Sequence, residues 1–301
     1  MVTLNDIQRF FNGTLRIAEP MGKYTSFHIG GPADYYLEPA SKTELVRLVN
    51  YFRQNTFPFI MIGNASNLLV SDQGYRGAVV NLECALPSIR MEGDMVYAEA
   101  GVRTGRFVDF CIQRSLQGAE TLAGLPGTLG GRVMTAEGSL SEHIVEVEIL
   151  RDNSVARLTN EEGGVVYRKS GSARDIVLAA RFRFPEGDKE ELMRLRRELL
   201  IQRNDEQPLN HPNAGSIFKN PPGNSAARLI HEAGLKGCVH GRAMVSDRHA
   251  NFILNNGGAG AREVVELIKV VQQTVRAKFN VALELDVKLI GFEEQVLKEV
   301  A

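Results

Sequence analysis

The sequence predicts an α+β protein built from more than one domain. Three observations carry that expectation. A capped helical pattern and a short buried strand alternate within residues 25–83. Strand-like runs then dominate residues 94–185 around a single helix. A charged amphipathic helix leads into a last region that closes on a long helix and an alternating strand. At 301 residues the chain is long enough for two or three modest cores.

In the first region Ser41 and Glu44 make a Ser-x-x-Glu capping box, and Leu45, Leu48, Val49 and Phe52 follow at helical spacing. Pro58 introduces the apolar run Phe59 to Ile62, a buried strand that ends in Gly63-Asn64-Ala65-Ser66-Asn67. Leu68 to Val70 and Val79-Val80 are further short apolar runs. In the second region strands are expected at Val96–Ala100, Val145–Leu150 and Ile176–Phe184. A helix is expected over Thr104 to Leu116, with Phe107, Val108, Cys111 and Ile112 on one side. Residues 188–206 predict a helix with Leu192, Leu195 and Leu199 inward and Arg194, Arg196 and Arg197 on a solvated face. Beyond it, Ser225 caps a helix that ends at Gly234, Phe252-Ile253-Leu254 reads as a strand and Gly257-Gly258 as a turn. Val264, Ile268, Val271, Val275 and Phe279 mark a long helix. The last strand is expected over Val281 to Ile290, with Leu283, Leu285, Val287 and Leu289 facing one way and Glu284, Asp286 and Lys288 the other.

Composition excludes several classes. A net charge of −1 gives no electrostatic case for nucleic acid or an anionic membrane. No apolar run reaches the roughly 18 residues of a spanning helix, and Met1 to Phe10 lacks the charged-then-apolar order of a secretory signal, so a cytoplasmic chain is expected. Cys84, Cys111 and Cys238 are far apart with no CxxC pair, which predicts buried free thiols. His211, His231, His240 and His249 lack metal-ligand spacing, so no metal is expected.

Four segments can carry chemistry. Gly63, Asn64, Ala65, Ser66 and Asn67 place small residues directly after a buried strand, where successive N–H groups can cradle a pyrophosphate; a plain strand-to-loop turn fits as well. In the stretch Gly124-Leu125-Pro126-Gly127-Thr128-Leu129-Gly130-Gly131 the glycines open the backbone and Thr128 adds a hydroxyl. Two such loops can enclose one long dinucleotide. In Tyr167-Arg168-Lys169-Ser170 an arginine beside an aromatic suits bidentate pairing with a carboxylate, or simply a surface strand end. In Gly215-Ser216-Ile217-Phe218-Lys219-Asn220 a serine beside glycine can hold its hydroxyl free, while Lys219 and Asn220 suit phosphate or amide groups.

Together these segments resemble the UDP-N-acetylenolpyruvoylglucosamine reductases (MurB family), in order and from about Tyr24 to Gly291. Residues 25–34 (Thr-Ser-Phe-His-Ile-Gly-Gly-Pro-Ala-Asp) look like the family's opening signature, and residues 66–72 (Ser-Asn-Leu-Leu-Val-Ser-Asp) like its pyrophosphate loop. Residues 125–131 look like its second flavin loop. Tyr167-Arg168-x-Ser170 and residues 214–221 look like its catalytic segments, and His249-x-Asn251-Phe252-Ile253 with Asn255 also fits. The resemblance implies a two-part FAD-binding fold of the vanillyl-alcohol oxidase type, over residues 1–85 and 86–200, plus an α+β substrate domain over 201–301. It implies the shorter subtype, since little beyond one helix separates Phe184 from Asn213. It implies non-covalent FAD held by Gly63, Asn64, Ala65, Ser66, Asn67, Leu68, Gly124, Pro126, Gly127, Thr128, Gly130 and Gly131, with NADPH as hydride donor. Arg168 would polarise the substrate carboxylate and Ser216 would protonate the adjacent carbon. Tyr167, Lys219 and Asn220 would contact the UDP-sugar, and the enzyme would be a cytoplasmic monomer with no nucleic-acid or membrane partner.

Three positions depart from the family. Its third catalytic residue, a glutamate, aligns with Asp286 here, whose shorter side chain withdraws the carboxylate by roughly 1.5 Å; Glu284 lies on the same face. The pyrophosphate loop has Ala65 where the family has another glycine, and residues 132–138 run short of a family segment. The departures keep open a divergent FAD-binding paralogue with lost or altered reductase activity.

Overall fold

The computed structural model describes residues 2–135, 140–159 and 175–300. It is a mixed α+β chain, as the sequence predicts. It opens with α1 (Leu4–Gln8), β1 (Thr14–Pro20), β2 (Pro32–Glu38), α2 (Lys42–Gln54), β3 (Phe59–Ile62), β4 (Leu68–Val70) and β5 (Tyr75–Asn81). It continues through β6 (Ile89–Glu92), β7 (Met95–Glu99), α3 (Thr104–Ile112), α4 (Leu129–Thr135), α5 (Leu140–His143), β8 (Ile144–Arg151), β9 (Ser154–Thr159) and β10 (Ile176–Phe182). Then come α6 (Lys189–Glu206), β11 (Asn213–Ser216), α7 (Ala226–Glu232), β12 (Val239–His240) and β13 (Ala243–Val245). The chain closes with β14 (Phe252–Asn255), α8 (Ala261–Phe279), β15 (Lys288–Ile290) and α9 (Glu294–Val300).

These elements fold into two compact units that interleave along the chain. The first takes Met1–Arg16, Tyr35–Asn64 and Gly77–Gln202; the second takes Ile17–Asp34, Ala65–Arg76 and Arg203–Ala301.

In the first unit β6-β7-β10-β8-β9 form an antiparallel sheet. Its apolar face, with Val96, Ala98, Leu178, Ala180 and Phe182, packs with Phe107 and Cys111 of α3 in one core. The other face carries charge: Arg181 donates to Glu92 at 2.8 Å and to Glu146 at 2.5 Å, above the Tyr97 ring. β3 pairs in parallel with β5 from Phe59↔Ala78 to Ile62↔Asn81. The apolar stripe of α2, Leu45, Leu48, Val49 and Phe52, is fully buried. Each such side chain contributes about 1.5–3 kcal/mol by leaving water.

Local details differ from the simplest expectation. Ser41 does cap α2, its Oγ accepting the Glu44 N–H at 3.2 Å. Glu44 does not return to Ser41 as a capping box requires; its carboxylate accepts from Ala40 at 2.6 Å and from the distant Asn12 amide. α3 ends at Ile112 rather than Leu116. On α6 only Leu192 is buried, while Leu195 and Leu199 are half-buried. Of the three thiols Cys111 is buried, Cys238 is half-buried and Cys84 is exposed, a correction to the expected burial of all three.

In the second unit β11-β14-β13-β12 form an antiparallel sheet. Val264, Ile268, Val271 and Val275 of α8 join Val245 and Ile253 in its core. α8 stops at Asn280, whose φ of +56° is the left-handed closure that favours Gly or Asn. β15 pairs in parallel with β4, beginning at Lys288↔Leu68. The expected strand Val281–Ile290 is therefore a strand only over its last three residues. Residues 284–287 instead bond to the chain after β11: Lys219 N–H to Glu284 C=O at 2.9 Å, and Asp286 N–H to Ile217 C=O at 2.8 Å. Among the described residues no helix is long and apolar enough to cross a membrane.

Candidate functional site

In the first unit the two glycine loops meet. A Cβ built on Gly63 would lie 2.2 Å from Thr128 Oγ1 and 2.7 Å from its Cγ2. Glycine at 63 is thus what lets the Thr128 side chain, itself buried, lie against the end of β3. The second loop is sewn to the turn before α3. Thr104 donates to Gly127 C=O through its N–H at 3.0 Å and its hydroxyl at 3.1 Å. Leu129 N–H reaches Val102 C=O at 2.8 Å, and Gly130 N–H reaches Ala100 C=O at 2.9 Å. Gly130 is buried, and a Cβ there would stand 2.9 Å from Ala100 Cβ, so its amide and its missing side chain both serve this seam. Gly124, Pro126 and Gly131 are exposed, and nothing lies within 4 Å of a Cβ built on Gly131. Gly63 and Asn64 are half-buried.

The second unit holds the rest of the first loop. Ala65 is buried with φ +50°, in the left-handed region where glycine is at ease. Its carbonyl accepts from Ser26 N–H at 3.4 Å, and Ser26 C=O accepts from Asn213 N–H at 3.1 Å, tying the loop to β11 through the opening signature. The glycines of that signature serve packing: a Cβ on Gly31 would sit 2.1 Å from Asp72 C=O. Ser66, Asn67 and Leu68 are half-buried. Asn67 donates from Nδ2 to Asp286 C=O at 3.1 Å, while its Oδ1 is buried and finds no partner among the described residues.

Ser216 ends β11 opposite Phe252 and is half-buried, as is Asp286. The Asp286–Ile217 bond sets the two candidate acid segments side by side, one residue after Ser216. Glu284 points elsewhere: it is exposed and pairs with Lys219 at 3.2 Å, itself exposed. Asn220 is exposed, and its Oδ1 accepts from Ala226 N–H at 3.0 Å, at the start of α7. Tyr167 and Arg168 lie outside the described residues.

Two positioning groups carried no local signal of their role. Asn251 is buried and clamps Phe218 by both backbone groups, accepting its N–H at 3.0 Å and donating to its C=O at 2.8 Å. Asp72 accepts from Ala261 and Arg262 N–H at 2.8 and 3.2 Å, capping α8 from 189 residues away. His249 sets its ring against Phe252 at 4.7 Å, and burial holds its pKa below the usual value.

Each unit by itself carries a feature that suits FAD: in the first, a glycine and a threonine of the two loops in close contact; in the second, a buried acceptor on Asn67 with no partner among the described residues. Residues 33–154 match the family described as FAD binding domain, and residues 207–290 match UDP-N-acetylenolpyruvoylglucosamine reductase, C-terminal domain. The chain is 40% identical to the UDP-N-acetylenolpyruvoylglucosamine reductase of Chloroherpeton thalassium, over 99% of this chain and 100% of that one. It is 42% identical to the protein of the same name from Caldanaerobacter subterraneus subsp. tengcongensis, over 93% and 94%. The crystal structure of UDP-N-acetylenolpyruvylglucosamine reductase (MurB) from Thermus caldophilus superposes with a TM-score of 0.76 at 32% identity, covering 93% of this chain and 100% of that one.

Proposed function

The chain belongs to the UDP-N-acetylenolpyruvoylglucosamine reductase family, and from that premise we propose that it is an FAD-dependent oxidoreductase. It uses NADPH to reduce UDP-N-acetylenolpyruvoylglucosamine to UDP-N-acetylmuramate for peptidoglycan synthesis, acting as a cytoplasmic monomer. One observation carries the reading: the Ser216 and Asp286 segments are hydrogen-bonded to each other, with the Asn67 amide on the Asp286 carbonyl.

Gly63 through Leu68 and Gly124, Pro126, Gly127, Thr128 and Gly131 would hold FAD, with Gly130 closing the seam to Ala100 beside Thr128; the flavin would supply hydride transfer from NADPH to the enolpyruvyl double bond. Arg168, with five donors in a planar fork, stabilises the charge that builds on the substrate carboxylate. Ser216 delivers the proton to the neighbouring carbon, so hydride and proton together saturate the double bond. A serine hydroxyl is a weak acid and needs a partner; Asp286 supplies it from the adjacent segment. Its half-buried position supports it over Glu284, which is exposed and paired with Lys219. Tyr167, Lys219 and Asn220 contact the nucleotide sugar.

The test is an anaerobic two-step titration of purified protein, following the visible flavin band. NADPH should bleach it, and UDP-N-acetylenolpyruvoylglucosamine should restore it. Bleaching without recovery would overturn the reductase reading.

A further inference from the structure

Asn67 belongs to the candidate cofactor loop, yet its side chain is bonded to the candidate acid segment. The amide end that faces Asp286 must be the NH2 group, because the carbonyl oxygen 3.1 Å away only accepts. The other end is therefore the oxygen, buried and without a partner among the described residues. Buried acceptors are normally satisfied, so this one is suited to a ligand donor. An ionised phosphate has no proton to offer; a ribityl hydroxyl or a ring N–H of the flavin does.

The backbone of the same residue reaches the same segment. Asn67 C=O accepts from Lys288 N–H at 3.1 Å, and the β4–β15 ladder starts one residue further on. On its far side that segment is bonded through Asp286 N–H to Ile217, while Asn251 fixes Phe218. Asp286 is thus held from two flanks, and one flank is the cofactor loop itself.

We propose that Asn67 is a positioning residue for the proton-transfer step: its Oδ1 takes a hydrogen bond from bound FAD, and its Nδ2 holds Asp286 in register with Ser216. The roles of Ser216 and Asp286 rest on the reductase reading above. Because the coupling is an equilibrium one, it is reciprocal: FAD binding tightens the Asp286 segment, and loosening that segment weakens FAD binding.

Asn67→Asp keeps an acceptor toward the ligand and removes the donor to Asp286. In anaerobic rapid mixing of the FAD-loaded variant, reoxidation by the sugar nucleotide should slow at least about tenfold more than reduction by NADPH, since a shift near 1 Å costs on the order of 100-fold. In an Asp286→Ala background the same change should add nothing to the reoxidation defect. Without any substrate, the Asp286 and Lys288 amides should exchange hydrogen faster in the variant, while those of β10 keep their wild-type rates. Asn67→Ala, which removes both arms and adds no charge, should give the same pattern with weaker FAD retention. Equal slowing of both half-reactions, additive effects with Asp286→Ala, or unchanged exchange at 286 and 288 would overturn the proposal. Should the wild-type protein not be reoxidised by the sugar nucleotide, the reductase reading fails, and the exchange rates alone decide whether Asn67 anchors residues 286–288.

Discussion

Gly63→Ala is the perturbation whose cost follows most directly from the geometry. The new Cβ would stand 2.2 Å from Thr128 Oγ1, 2.7 Å from Cγ2 and 3.0 Å from Cβ. Rotating χ1 of Thr128 does not clear the way. Its two heavy γ atoms share three staggered positions, so at least one remains in one of the two close ones. The φ of Gly63 is outside the left-handed range, so alanine adds no backbone strain and the cost is steric. Overpacking of this kind destabilises by about 1–3 kcal/mol. Thr128→Ala removes the two closest atoms and keeps the 3.0 Å contact to Cβ. The double variant should therefore recover about 1–2 kcal/mol of coupling energy, within the range seen for residues in contact. Urea unfolding of wild type, both single variants and the double variant gives the cycle, and the ratio of flavin to protein absorbance reports whether the loops still hold FAD. Wild-type stability for Gly63→Ala, or strict additivity in the cycle, would refute the argument that glycine is there to admit Thr128.

Asp286→Glu restores the family's longer acid; reoxidation by the sugar nucleotide should accelerate by up to about 100-fold, and an unchanged rate would show that aspartate is already well placed. Ala65→Gly relieves about 1–2 kcal/mol of left-handed strain. It loses about 0.8 kcal/mol of buried methyl and a similar amount to unfolded-chain freedom, so the urea-measured change should stay within about 1 kcal/mol. Burial lowers the folded-state pKa of His249, so its stabilising contribution is present above the unfolded value of 6.5 and lost as pH falls below it. His249→Gln should flatten the fall in unfolding free energy between about pH 7 and pH 5, and an unaltered slope would contradict this. Burial pushes the Cys111 thiol up to about 12, whereas Cys84 is exposed. A thiol reagent should label Cys84 in the native protein and Cys111 only after unfolding; labelling at equal rates would speak against the packing of α3.

The parts legible in the sequence are those whose cause is local. Ser41 caps α2, Ser225 caps α7, and the 3.6-residue stripe of α8 is buried from Val264 to Val275, with Phe279 at its end half-buried. The strand Phe59–Ile62 and the loop that follows it appear where the apolar run ends. The opening signature, the glycine loops and the Ser216 segment were recognisable as an ordered set because each is a short contiguous pattern. The closing segment marks the boundary. Its alternation survives as burial at Leu283 and Val287, buried, and Glu284 and Lys288, exposed, but not at Leu285 and Asp286, which are both half-buried. Its ladder does not survive, because Glu284 C=O and the Asp286 and Val287 N–H groups bond to the chain after β11, while Asp286 C=O takes the Asn67 amide.

By itself, the sequence determined the α+β class, the helix limits set by caps, and the residue types on which the chemistry depends. Only the tertiary structure decided which of those residues are neighbours. Thr128 fills the space that Gly63 leaves, Asp72 caps a helix 189 residues away, and Asn67 grips Asp286 across 219. It also separated Asp286 from Glu284, two acids on one alternating face, by pairing the second with Lys219 at the surface. The physical reason is range. Side-chain periodicity and capping are set within a few residues of chain, whereas a hydrogen bond between distant segments depends on the register in which whole elements pack.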